Sequence, residues 1–118
     1  MGFFNLFRKG EKKDIDLSNV SNENVGEFLR SRRLKLVCLI SPDFGGSEGA
    51  DNQVPVTPKA YEEKQRIDAE IAHFLRQEKE VRDFHVDLKY KGKSAVPSKI
   101  IITAVIEGSS WKKVIEVW

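Results

Sequence analysis

Cys38 together with His73 or His85 is the smallest set in this chain that could support nucleophilic chemistry, because a thiol attacks as its thiolate and needs a basic or cationic neighbour to form it. The surroundings argue otherwise. Leu34, Leu36, Val37, Leu39 and Ile40 make an apolar stretch around Cys38, in which a cysteine packs as a small hydrophobe. His85 and Asp87 alternate along one segment and would share a strand face, but two ligands are not a metal site, and a His–Asp surface hydrogen bond is the simpler reading. Asp43, Glu48 and Asp51 lack the alternating spacing and twelfth-position glutamate of a calcium loop. Gly92-Lys93-Ser94 looks like the tail of a phosphate-binding loop, yet the position five residues before Gly92, where that motif requires glycine, is Asp87. No glycine-flanked serine or other triad pattern occurs. The expectation is a protein with no catalytic residues, no cofactor and no metal.

Residues suited to contact are more plentiful. Phe3, Phe4 and Phe7 are followed by Arg8, Lys9, Lys12 and Lys13, the composition of a docking segment or an interfacial anchor. The charge follows the apolar part, which excludes a signal peptide, and Leu6 stands where a myristoylation signal needs Ser or Thr. Phe44, Trp111 and Trp118 are the other candidate partner-binding aromatics; they fit core lids and interface anchors equally. Lys89, Lys91, Lys93 and Lys99 form one basic cluster, and Arg30, Arg32 and Arg33 with Lys35 a second. Such clusters suit phosphate on nucleic acid or a membrane surface, but edge-strand lysines also keep sheets from pairing edge to edge. Phe84 and Tyr90 share the parity of Val86 and Leu88; this points to burial and away from the exposed stacking platform of RNA-binding sheets.

The elements that carry these residues follow from periodicity. Ser21 or Asn22 can cap a helix over 22–32 whose last turn is rich in arginine. The run 34–40 reads as an interior strand covered on both faces. Residues 41–58 hold three glycines and three prolines and read as one long loop, functional or disordered. Thr57 and Pro58 then open a long helix over 59–82, with Ala60, Ile67, Ile71, Phe74, Leu75 and Val81 along one stripe. Its outer face carries Glu62–Arg66, Arg66–Glu70 and Arg76–Glu80 at four-residue spacing. Residues 84–91 alternate as a strand with one wet face. Residues 99–107 are the most apolar run and read as a central strand covered on both faces. The segment 111–118 can be drawn as strand or helix, and its short Gly-Ser turn and β-branched content favour a strand.

This order predicts an α+β, two-layer domain. A mixed sheet of three to four strands (34–40, 84–91, 99–107 and 111–118) packs against the long helix and the shorter N-terminal one, and 34–40 joins by a crossover. With 118 residues, 40% hydrophobic and 32% charged, the chain fits one domain at 21–118 behind an aromatic and basic segment at 1–20. A single cysteine excludes a disulfide framework, and no apolar run reaches the length of a membrane span. Net charge is only +2, so the whole molecule demands no anionic partner. The expected function is a small non-catalytic protein-interaction module of adaptor, accessory or immunity type. Its expected place is the cytoplasm, with contact at a membrane surface through residues 1–13. The alternative is a polyanion-binding domain that uses the basic clusters.

Overall fold

The structure, a computed structural model, describes residues 16–118; Phe3, Phe4, Phe7 and the basic residues after them lie outside that range. The chain is α+β with two antiparallel sheets and one main helix. Helix α1 spans Val25–Arg30, strand β1 Lys35–Cys38, β2 Gln53–Val56, helix α2 Pro58–Arg76, β3 Val81–Tyr90, β4 Pro97–Ile106 and β5 Ser109–Glu116.

The mixed sheet with a crossover does not form. β1 pairs antiparallel with β2, Leu36 opposite Pro55 and Val37 opposite Val54, in a sheet of its own. β3, β4 and β5 form a separate meander. The stretch 41–58 is therefore not one loop. Its end is β2, a four-residue strand with Val54 and Val56 buried on alternate positions; Pro55, which cannot donate to a ladder, hides that alternation from a reading by composition. The rest is the connection of a hairpin, with 3₁₀ turns at Pro42–Phe44 and Ala50–Asn52. Asn52 holds it closed. Its Nδ2 donates to the carbonyls of Ile40 and Ser47, both at 2.7 Å, and its Oδ1 accepts from Ile40 N–H at 2.9 Å. The side chain thus stands in for a strand partner beyond the end of β1.

Helix α2 begins as its sequence dictates: Thr57 Oγ1 accepts from Ala60 N–H at 3.2 Å, and Pro58 occupies the first position. It stops at Arg76, short of 82, because Glu78 takes a left-handed backbone (φ 60°) and Lys79 N–H turns back to Phe74 C=O. That releases Val81 to open β3. Helix α1 is also shorter than 22–32. Ser21 Oγ accepts from the amides of Glu23 and Asn24 at its start, and Arg32 at φ 66° follows its end.

Leu34, Val37, Val56, Ile67, Ile100, Ile102 and Ile115 make the main core, so both sheets and α2 share one apolar centre. A smaller cluster of Ile71, Ala104 and Ile106 continues it, with Phe44, Phe74, Phe84 and Trp111 packed around it. In β4 only one face is covered. Ile100, Ile102, Ala104 and Ile106 are buried, while Ile101, Thr103 and Val105 are half-buried on the other face. The apolar run was expected to be covered twice; among the described residues its outer side is shielded by lateral neighbours in β3 and β5 and not by a second layer. β1 is likewise covered on one side only, with Leu36 46% exposed. Tyr90, expected inside, is 49% exposed because a register shift between Lys89 and Tyr90 turns it out of the alternation.

Candidate functional site

The meander has two edges of different character. β3 is irregular, with register shifts between Arg82 and His85 and again between Lys89 and Tyr90. Asp83 sits at φ 54° within the first of them. Charged and bulged edges resist further pairing. β5 is regular along its whole length, Ser109 to Glu116 against Ile106 to Lys99, without a shift. Among the described residues no strand pairs with its outer side.

The turn before β5 fixes which backbone groups that side presents. Glu107 and Gly108 both have positive φ, 51° and 80°, and join Ile106 directly to Ser109. A two-residue turn of this kind closes on a pair that exchanges both hydrogen bonds, after which bonded and non-bonded pairs alternate. Trp111, Lys113 and Ile115 therefore bond to β4. Ser110, Lys112, Val114 and Glu116 point N–H and C=O outward. Their side chains lie on the uncovered face beside Thr103 and Ile101, and Val114 is 39% exposed.

Beside the end of this edge runs a groove of about 810 Å³ between β5 and the start of α2. Lys59, Glu63 and Arg66 line one side, Val114, Glu116 and Trp118 the other, and Lys91 closes one part. Trp118 is fixed in place: its Nε1 donates to Val96 C=O at 3.0 Å, and Lys91 Nζ lies 4.9 Å from the ring centroid. The indole is half-buried, part core lid and part groove wall.

The other aromatic candidates lie elsewhere. Phe44 packs edge-on against Phe84, with centroids 6.3 Å apart, and Trp111 is half-buried over the same small cluster. Both pack on that cluster, Trp111 from near the start of β5, and Trp118 stands beyond the strand's other end. Of the basic residues, Lys89 and Lys99 are register partners on the open face, but Asp87 approaches Lys89 and Glu116 approaches Lys99, both at 3.7 Å. Lys91 and Lys93 are exposed around the β3–β4 connection. Arg30 ends α1, Arg32 and Arg33 lie between α1 and β1, and all three are exposed, Arg33 stacked 4.3 Å over Phe28. Acids thus interleave with the lysines in space, although none occurs among them between 89 and 99.

Cys38 is half-buried at the end of β1 and both histidines are exposed. Among the described residues no group of three His, Cys, Asp or Glu could hold a metal, and no helix is long and apolar enough to cross a membrane.

One charged group escaped the sequence. Lys64 is wholly buried in α2 and pairs with Asp68, Nζ lying 2.9 and 3.0 Å from the two carboxylate oxygens. Burial pushes the Asp68 carboxyl above its ordinary range, the Lys64 ammonium pulls it back, and Asp43 raises it slightly. Four-residue spacing offered Lys64–Asp68 as readily as the three pairs drawn from it. Among the described residues the ion pairs of α2 are this one and Glu70–Lys113, at 3.6 Å. A lysine locked to a carboxylate with no access to solvent is structural. No protein family matches the chain, and no curated protein is similar to it in sequence.

Proposed function

We propose that this protein is a small non-catalytic interaction module that takes an extended protein segment on the outer edge of β5. The observation that carries the reading is the contrast between the edges: a bulged, charged β3, and a regular β5 whose outer side no described strand pairs with, beside a groove walled by Trp118. Addition of a strand to an open edge draws affinity from main-chain hydrogen bonds and selectivity from alternate side chains. The aromatic and basic composition of residues 1–13 supports contact at a membrane surface, and residence in the cytoplasm is proposed as part of the same reading.

Val114→Pro tests it, since the change deletes one outward N–H while leaving the bonds to β4 in place. Affinity capture from host lysate, with nuclease present, should yield a near-stoichiometric protein with the wild-type chain and lose it with Val114→Pro at unchanged melting temperature. Capture of nuclease-sensitive material alone, undiminished in Val114→Pro and lost when Lys89, Lys91 and Lys93 are neutralised, would replace this reading with polyanion binding.

A further inference from the structure

We infer that the occupant of the β5 edge is β5 of a second copy of this chain, paired antiparallel about a two-fold axis at Val114; the inference rests on the reading of β5 as a docking edge. The hydrogen-bond phase restricts the registers available. Two edges exchange bonds only when outward-facing residues stand opposite one another, which allows an axis at any residue of β5. An axis at Ser109, Ser110 or Trp111 carries Val114 and Glu116 past the start of the facing strand and leaves Lys112 without an opposite charge, so the axis falls at Lys112, Lys113, Val114, Ile115 or Glu116. An axis at Lys112, Lys113 or Glu116 sets a charge against its own copy, and like charges directly opposite are unfavourable. An axis at Ile115 sets Val114 against Glu116. With the axis at Val114, Lys112 faces Glu116 of the second copy, Glu116 faces its Lys112, and Val114 meets Val114.

This register also continues what each protomer already has. Ile101 and Val114 are register partners on the uncovered face, so the axis joins them into an apolar row of Ile101, Val114, Val114 and Ile101. Lys113, opposite Ile115 of the copy, keeps its charge paired through Glu70 at 3.6 Å. Two three-stranded sheets become one continuous sheet whose outer strands are both β3. Those edges are bulged, so the assembly closes as a dimer and does not propagate.

Charge reversal tests the register. Sedimentation velocity of the full chain over roughly 1–100 µM should show a reversible dimer. Lys112→Glu and Glu116→Lys should each weaken dimerisation by about tenfold or more, since the symmetry counts each change twice. The two changes combined should restore the wild-type constant, with circular dichroism unchanged throughout. A monomer at every concentration, or a dimer indifferent to both single changes, overturns the inference. A photo-crosslinker in place of Lys112 separates this failure from that of the wider reading. An adduct of twice the chain mass supports self-pairing. An adduct with a foreign protein, or with residues 1–15 of the same chain, overturns it and leaves β5 a docking edge; no adduct at all overturns both.

Discussion

Lys64 and Asp68 show what a buried ion pair costs and what it holds. The ammonium has no solvent contact, and the carboxylate, 14% exposed, titrates above its ordinary range because burial outweighs the attraction of its partner. The folded protein therefore holds the Asp68 proton more tightly than the unfolded chain does. Its contribution to stability is greatest in acid and falls as pH rises from the ordinary carboxylate range through the raised value. Removing the ammonium should widen that window. Lys64→Met should cost about 2–3 kcal/mol near neutral pH, from a buried carboxylate left unpaired. The loss should shrink as pH falls and Asp68 takes up its proton. Adding Asp68→Leu should bring stability back to within about 1 kcal/mol of wild type and abolish this pH dependence. Urea titrations of the three proteins at several pH values would measure each difference; a Lys64→Met penalty that grows toward acid would contradict the assignment.

The β1–β2 connection depends on two residues. Asn52→Ala removes the bonds that satisfy Ile40 N–H, Ile40 C=O and Ser47 C=O, and should cost about 2–3 kcal/mol with new protease cleavage within 41–51. Asn52→Asp should do no better, since a carboxylate oxygen would face two carbonyls. Gly46 is required for a separate reason: a Cβ there would lie 1.8 Å from Ile40 O, so Gly46→Ala should loosen the same segment. Limited proteolysis against the melting temperature checks all three. At this scale the legible elements were those whose signal is local. Thr57-Pro58 announced α2, and the alternation from Phe84 to Leu88 announced β3. What escaped depended on partners far along the chain. Pro55 broke the alternation of a four-residue strand, and apolar content cannot say whether Ile101 and Val105 meet a second layer or only their neighbours in the sheet. The candidate site was half legible for the same reason: Trp118 was named from its type, whereas the reactive edge is a matter of hydrogen-bond phase, set by the Glu107-Gly108 turn.

At the scale of the molecule, β4 is the centre. Among the described strands it alone is paired on both sides, and Ile100 and Ile102 are wholly buried. Its amides at 100–104 should exchange with deuterium most slowly and report global unfolding, while those of 41–51 should exchange by local opening. Exchange in β5 as slow as in β4 at low protein concentration would contradict this ranking. The first and last described residues are tied to the same region. Ser94 Oγ donates to Leu17 C=O at 2.7 Å and Ala95 N–H to Val20 C=O at 2.8 Å. Val117 N–H donates to Ser98 C=O, and the Trp118 indole to Val96 C=O. Residues far apart in sequence thus converge on the stretch 94–98, which makes that stretch a mechanical short circuit. A pull between Asp16 and Trp118 would load these few bonds and leave α1, α2 and the β1–β2 hairpin slack until the bonds gave way. A molecule held at those two points would bear tension through one short seam, with most of its described fold carrying no load.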